Sequence, residues 1–128
     1  MEPFNVPIRF TDIDAMGHVN NACYFTYFEE ARIYYFEKLL GNWDWNSCGI
    51  VLAQNHATYH LPLRMTDSAL LTMRVTKIGQ RSFELTYRIE VNQVLYCSGS
   101  SAIVCYNHDE KKTIEIPKPL LDALNTLL

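Results

Sequence analysis

Hydrophobic and polar positions change rhythm twice along this chain. Phe4, Val6, Ile8 and Phe10 alternate with polar or neutral neighbours, the two-residue period of a strand with one buried face. Pro7 lies inside that run and lacks an amide donor, which predicts an edge position or irregular pairing. A polar, turn-prone stretch fills 11–21, and then the period lengthens. Tyr24, Phe28, Ala31, Tyr35 and Leu39 recur at three- and four-residue steps, and Phe25, Ile33, Phe36 and Leu40 widen the stripe. The polar remainder, including Thr26, Glu29, Glu30 and Glu37, is narrow, so the helix should be covered round most of its circumference. The spacing predicts a helix over 22–40, about 28 Å long. Asn20 or Asn21 can cap its start and Gly41 can end it.

The span 49–106 returns to the two-residue period. Phe83, Leu85, Tyr87, Ile89 and Val91 alternate with Ser82, Glu84, Thr86, Arg88 and Glu90, and Leu71, Met73 and Val75 alternate with Thr72, Arg74 and Thr76. Short connections at Gly79-Gln80 and Asn92-Gln93 imply antiparallel hairpins. Leu120, Leu121, Leu124 and Leu127 after Pro117 suit a short closing helix. The order of elements predicts an α+β fold over a single domain, 1–128, with one long central helix wrapped by a curved antiparallel sheet of about five strands. One helix covers only one face of such a sheet. A second copy of the chain is the simplest cover for the other face.

Composition narrows the class. The chain has 128 residues, 48% of them hydrophobic, enough for a genuine core in one domain. Eleven basic and 14 acidic residues are mixed along it for a net charge of -3, which creates no field for nucleic acid and no polybasic membrane patch. The N-terminal MEPFNVPIRF has no basic region followed by a continuous apolar run, so it does not read as a signal peptide. No stretch approaches a membrane span. Cys23, Cys48, Cys97 and Cys105 have no paired spacing and read as reduced, mostly buried thiols, which implies a cytoplasmic protein.

The chemistry concentrates in FTDIDAMGHVNNACY, residues 10–24, which runs straight into the helix. It places two carboxylates, a glycine, a histidine and two asparagines before a helix N-terminus, where free amides and the dipole favour negative charge. The same field suits a carbonyl oxygen becoming an oxyanion in acyl transfer. This stretch, with Glu29 and Arg32 following, resembles the signature of the 4-hydroxybenzoyl-CoA thioesterase-like branch of the hot-dog superfamily. YHLPLRMTD at 59–67 and KIGQRSF at 77–83 are similar to two further elements of that family.

The resemblance implies a hot-dog fold and an acyl-CoA thioesterase, with no cofactor or metal beyond the coenzyme A of its substrate. It also implies a site between two subunits; the assembly is a dimer of hot-dog subunits, alone or paired into a tetramer, and the sequence does not choose between the two. By position, Asp14 matches the catalytic acid, which attacks the thioester carbonyl or activates a water. A carboxylate is ordinarily ionised at pH 7, ready as a nucleophile and weak as a base. The backbone amide of Asn21 matches the group that polarises that carbonyl, and Gly17 fits close backbone approach or a positive φ. His18 either positions water or substrate or bonds Asp14 or backbone. The run His18-Val19-Asn20-Asn21 also resembles plant acyl-ACP thioesterases, so carrier-protein thioesters are the alternative substrate. A hot-dog module that binds acyl thioesters without cleaving them is the alternative outside enzymes.

Asn20, Tyr24 and His60 join the candidate substrate-binding residues. Arg64, Lys77, Arg81 and Ser82 join them at the loops where, by the resemblance, the coenzyme phosphates dock. Asp12 reads as a turn former bonding backbone amides. Glu29 and Arg32, three apart on the helix, read as a salt bridge or subunit contact. His56 and His60 would bind one metal only on a helix; in a strand they lie about 13 Å apart. Cys23, in the first helical turn, reads as a core thiol and not as a nucleophile. Trp43 and Trp45 either wall an acyl pocket or pack the loop after the helix, and packing is the preferred reading.

Overall fold

In the computed structural model, which describes all 128 residues, the central helix is α1 (Cys23–Leu40). Tyr24, Tyr27, Phe28, Ala31, Arg32, Tyr35 and Phe36 are its buried positions. Its start is satisfied by Asn20, whose Oδ1 accepts from the Ala22 amide at 2.9 Å and whose carbonyl accepts from the Cys23 amide at 2.9 Å. Its end is Gly41, at φ 58, whose amide donates to the Glu37 carbonyl at 3.0 Å. A side chain at that φ would be strained, so the glycine suits the stop.

The helix lies against one antiparallel sheet. Its long strands are β2 (Gly49–Tyr59), β3 (Ala69–Ile78), β4 (Ser82–Val91) and β5 (Val94–Asn107). With β1 (Phe4–Asn5), the order across the sheet is β1-β3-β4-β5-β2, and β6 (Lys112–Thr113) adds to β5. The expected first strand is shorter than its alternation predicts. After β1 only Val6 is buried, and Phe10 opens a 3-10 turn, Phe10–Asp12, with 83% of its surface exposed. Pro7 cannot extend the ladder, and the Val6 amide makes the last bond, to the Ala69 carbonyl at 3.0 Å. The closing helix is α2 (Lys118–Thr126), whose Leu120, Ala123 and Leu124 are buried.

Leu71, Met73 and Val75 from β3, Phe83, Leu85, Tyr87 and Ile89 from β4, and Cys97, Ile103 and Cys105 from β5 form the floor on which α1 rests. At its centre the Phe28 ring lies flat on Tyr87, centroids 4.2 Å apart and planes 6° from parallel. Gly99 makes that approach possible. A Cβ there would stand 2.5 Å from Phe28 and 2.7 Å from the His56 carbonyl.

The outer face of the sheet departs from expectation. Glu84, Thr86 and Arg88 lie opposite Ala102, Ser100 and Ser98, and beyond them Gln54, His56 and Thr58 continue the row. That face is polar where a second apolar face was expected. Exposed apolar side chains collect instead along the other border, where Val51 and Leu52 of edge strand β2 and Ile33 of α1 are 40%, 42% and 58% exposed. No helix is long and apolar enough to cross a membrane. Gly99→Ala should cost about 1–3 kcal/mol through overpacking, read as a lower urea midpoint; an unchanged midpoint would show that Phe28 is not held so closely.

Candidate active site

Residues 14–18 fold into a tight turn because one carboxylate serves two amides. Asp14 Oδ1 accepts from the Met16 amide at 2.9 Å and from the His18 amide at 3.2 Å. The backbone closes the same turn, with the Asp14 amide on the His18 carbonyl at 2.7 Å and the Gly17 amide on the Asp14 carbonyl at 3.1 Å. Gly17 sits at φ 79 with open space where a Cβ would stand, so conformation, not crowding, calls for glycine. The turn is anchored outward by the Val19 amide on the Leu63 carbonyl at 2.8 Å and the Asn20 amide on the Asp12 carbonyl at 2.8 Å.

These bonds leave two groups unclaimed. Asp14 Oδ2 receives no hydrogen bond from the chain. From Met16 to Tyr24 every backbone amide donates within the chain except that of Asn21. Both residues line one open cavity of about 350 Å³, with His18, Tyr24, Tyr59 and His60 among its other walls. An acceptor-free amide beside a carboxylate oxygen without a donor is an arrangement that a polarised carbonyl can join.

The remaining walls come from far along the chain. Tyr59 ends β2, donates its hydroxyl to the Asn21 carbonyl at 3.0 Å and packs edge-on against Tyr24, ring centroids 4.8 Å apart. Tyr24 accepts from the Leu63 amide at 3.4 Å, and burial pushes its phenol up to about 12. His60 Nε2 lies 3.0 Å from Ser98 Oγ. The His18 ring makes no hydrogen bond to Asp14 or to backbone; only its main chain does, so the imidazole is left to the cavity. Tyr59, Leu61 and Pro62 are walls that local spacing could not reveal. Their one trace was the YHLPLRMTD motif, which marks a segment and not its neighbours.

Other candidates lie elsewhere. Asn20 bonds the helix start and does not line the cavity. Arg64 closes its own turn, its amide on Asp67 Oδ2 at 2.8 Å, with an exposed side chain. Lys77, Arg81 and Ser82 occupy the β3–β4 hairpin, where Ser82 pairs with Val104 while Tyr59 pairs with Cys97. Seven residues of strand separate those positions, about 23 Å, so within one chain the hairpin does not meet the Asp14 cavity. Arg81 Nη1 donates instead to the Thr113 carbonyl at 3.0 Å.

Asp12 takes the backbone role expected of it, with Oδ2 accepting from the Arg9 amide at 3.1 Å and from the Tyr27 hydroxyl at 2.6 Å. Burial, then that bond, pushes the Tyr27 phenol far above its ordinary range. Burial and the negative charge of Asp12 also raise the Cys23 thiol, the opposite of what a thiolate nucleophile needs. Glu29 and Arg32 form no salt bridge with each other. Arg32 is buried and turns Nη1 to the Tyr87 hydroxyl at 3.0 Å and Ser101 Oγ at 3.4 Å.

A curved antiparallel sheet around one long helix, with a polar turn at the helix N-terminus, defines a hot-dog fold, and solved structures bear this out. The chain belongs to the thioesterase-like superfamily, whose family model matches residues 8–124. That membership and its named relatives make it a thioester hydrolase. It is 28% identical over 120 residues to the uncharacterized protein YsmA of Bacillus subtilis, covering 85% of this chain and 82% of that one. It is 25% identical over 130 residues to a 1,4-dihydroxy-2-naphthoyl-CoA hydrolase of Nostoc punctiforme, covering 96% of this chain and 86% of the relative. A thioesterase of Thermus thermophilus complexed with coenzyme A and Zn superposes with a TM-score of 0.86 at 25% identity, over 98% of this chain and 92% of the other.

Gly17→Ala should lower stability by about 1–2 kcal/mol, the cost of a left-handed side-chain residue. Gly17→Asn should lose less, because asparagine tolerates that region. Denaturant titration ranks the two, and equal losses would point to crowding in place of conformation.

Proposed function

We propose that the chain hydrolyses acyl-CoA thioesters to free acid and coenzyme A in the cavity at the start of α1. Asp14 Oδ2 either attacks the thioester carbon or takes the proton from an attacking water. In both routes the carbonyl oxygen gathers negative charge against the Asn21 amide, and the carbon–sulfur bond then breaks to release coenzyme A as thiolate, which takes up a proton. In the nucleophilic route this leaves an anhydride on Asp14 that water cleaves to free acid and the regenerated carboxylate. The observation that carries this reading is the single unclaimed amide, Asn21, beside the free oxygen of Asp14 in one cavity. His18 and His60 sit where they can hold the water or the thioester sulfur, and Tyr59 keeps Asn21 in place. Arg64 is the nearest sequence neighbour of the cavity wall free to meet a phosphate, while Lys77, Arg81 and Ser82 would meet one only from a second copy. The thioesterase complexed with coenzyme A supports the choice of thioester.

Four free cysteines, three of them buried, suit a reducing cytoplasm. The free edge of β2, with Val51, Leu52 and Ile33 exposed beside it, is the surface on which two copies would pair. Sedimentation equilibrium should give twice the chain mass; a monomer at micromolar concentration would overturn this pairing.

Thiol release over short, long and aromatic acyl-CoAs tests the chemistry. Asp14→Asn should lower kcat by at least about a hundredfold, Asn21→Ala should stay close to wild type because its amide persists, and Cys23→Ala should fall within a few-fold. Full activity in Asp14→Asn would sink the assignment, and near-total loss in Cys23→Ala would move it to the thiol.

A further inference from the structure

A second cavity lies on the same seam between α1 and β2, at the end remote from Asp14. It holds about 600 Å³ and is walled by Phe36, Trp45, Ile50 and Leu52, with Arg32 also facing it. Arg32 is only 7% exposed and forms no ion pair within the chain. Its Nη1 is used by Tyr87 and Ser101, and Ser101 in turn donates to Asn55 Oδ1 at 2.6 Å. Its Nε and Nη2 make no hydrogen bond, and neither is sealed from the cavity, because no closed-off side-chain nitrogen or oxygen lacks a partner. Nε and Nη2 form the edge of a guanidinium that receives a carboxylate through two parallel bonds. A buried positive charge left without an anion is costly.

We propose that this cavity binds a carboxylate at the far end of the acyl group, so that the preferred substrates are CoA thioesters of dicarboxylic acids. This rests on the thioester reading above and extends it. The geometry suits such a chain. α1 and β2 run antiparallel, since the Tyr59 hydroxyl at the end of β2 meets the Asn21 carbonyl before the start of α1. From Asn21 to Arg32 the helix climbs about 16 Å, and the Arg32 side chain leans back toward the helix start. The two cavities share no wall, and an acyl chain with its thioester at Asn21 would have to follow the seam past Phe28 to end on the guanidinium.

The other charges around the cavity do not reverse this. Glu29, Glu37 and His108 are exposed on its rim within one chain, and Ile33 and Leu52 beside them belong to the border on which two copies would pair, so the cavity opens toward that pairing surface. Arg32 is buried and unscreened at the floor, so it sets the field that a ligand end meets.

Hydrolysis of adipyl-, suberyl- and sebacyl-CoA is compared with that of hexanoyl-, octanoyl- and decanoyl-CoA on the full chain. At least one carboxylated substrate should exceed its neutral counterpart by about tenfold or more in kcat/KM, and Arg32→Met should bring that ratio to about one. Calorimetry with free suberate gives a readout independent of turnover. Wild type should bind it and octanoate should compete poorly, and if Arg32→Met does not fold, Arg32→Lys should weaken suberate alone. Preference for neutral chains overturns the proposal, as does an equal loss on both series. A variant that changes only the mass in solution also overturns it, since Arg32 would then be meeting a carboxylate of a second copy. If no CoA thioester of either series is cleaved, the thioesterase reading fails, while suberate binding still decides the anion site.

Discussion

Everything in this structure depends on how closely α1 can sit on the sheet. Phe28 lies flat on Tyr87, and the absence of a side chain at Gly99 lets it do so. That contact sets the height of the helix above β4 and β5. The turn at residues 14–18 is tied to α1 through Asn20, and the far wall is tied to it through Tyr59 and Leu63. A helix lifted by one carbon would therefore move both walls of the cavity. Close packing at the centre transmits to the site at the end.

The turn before the helix achieves its order by consuming donors. Asp14 Oδ1 takes two amides, backbone carbonyls take most of the rest, and one amide remains. Selectivity of this kind costs little, since a polar loop must satisfy its amides in any case. What matters is where the remainder falls, and here it falls beside the unclaimed oxygen of the same aspartate. The helix dipole adds a favourable field for developing negative charge at that point.

The seam between α1 and β2 has two unlike ends. At the Tyr59 end it is lined by an aspartate, histidines and tyrosines; at the Gly49 end apolar side chains make up half the wall, with Glu29, Glu37 and His108 at the rim and one buried guanidinium. Both lie along the antiparallel course of α1 and β2. One elongated ligand with a reactive head and a charged tail would use both. The apolar surface along β2 also explains why pairing is expected at this border, since the polar outer face gives a second copy little to bury.

Residue order alone determined the period of each element, and with it the long helix, the hairpins and the α+β class, because burial on one face imposes a period of two or of three to four. It also placed Asp14, Gly17 and Asn21 together, since these are neighbours in the chain and a helix start makes them so in space. Tyr59 and His60 joined them only through folding, as did the separation of the Lys77–Arg81–Ser82 hairpin from the cavity, because sheet pairing decides which distant residues meet. Arg32 is the clearest case. Three residues after Glu29 it reads as a surface ion pair, yet the rotation of α1 on the sheet turns it inward to Tyr87 and Ser101. Spacing records which residues share a helix face, and only packing records what that face touches.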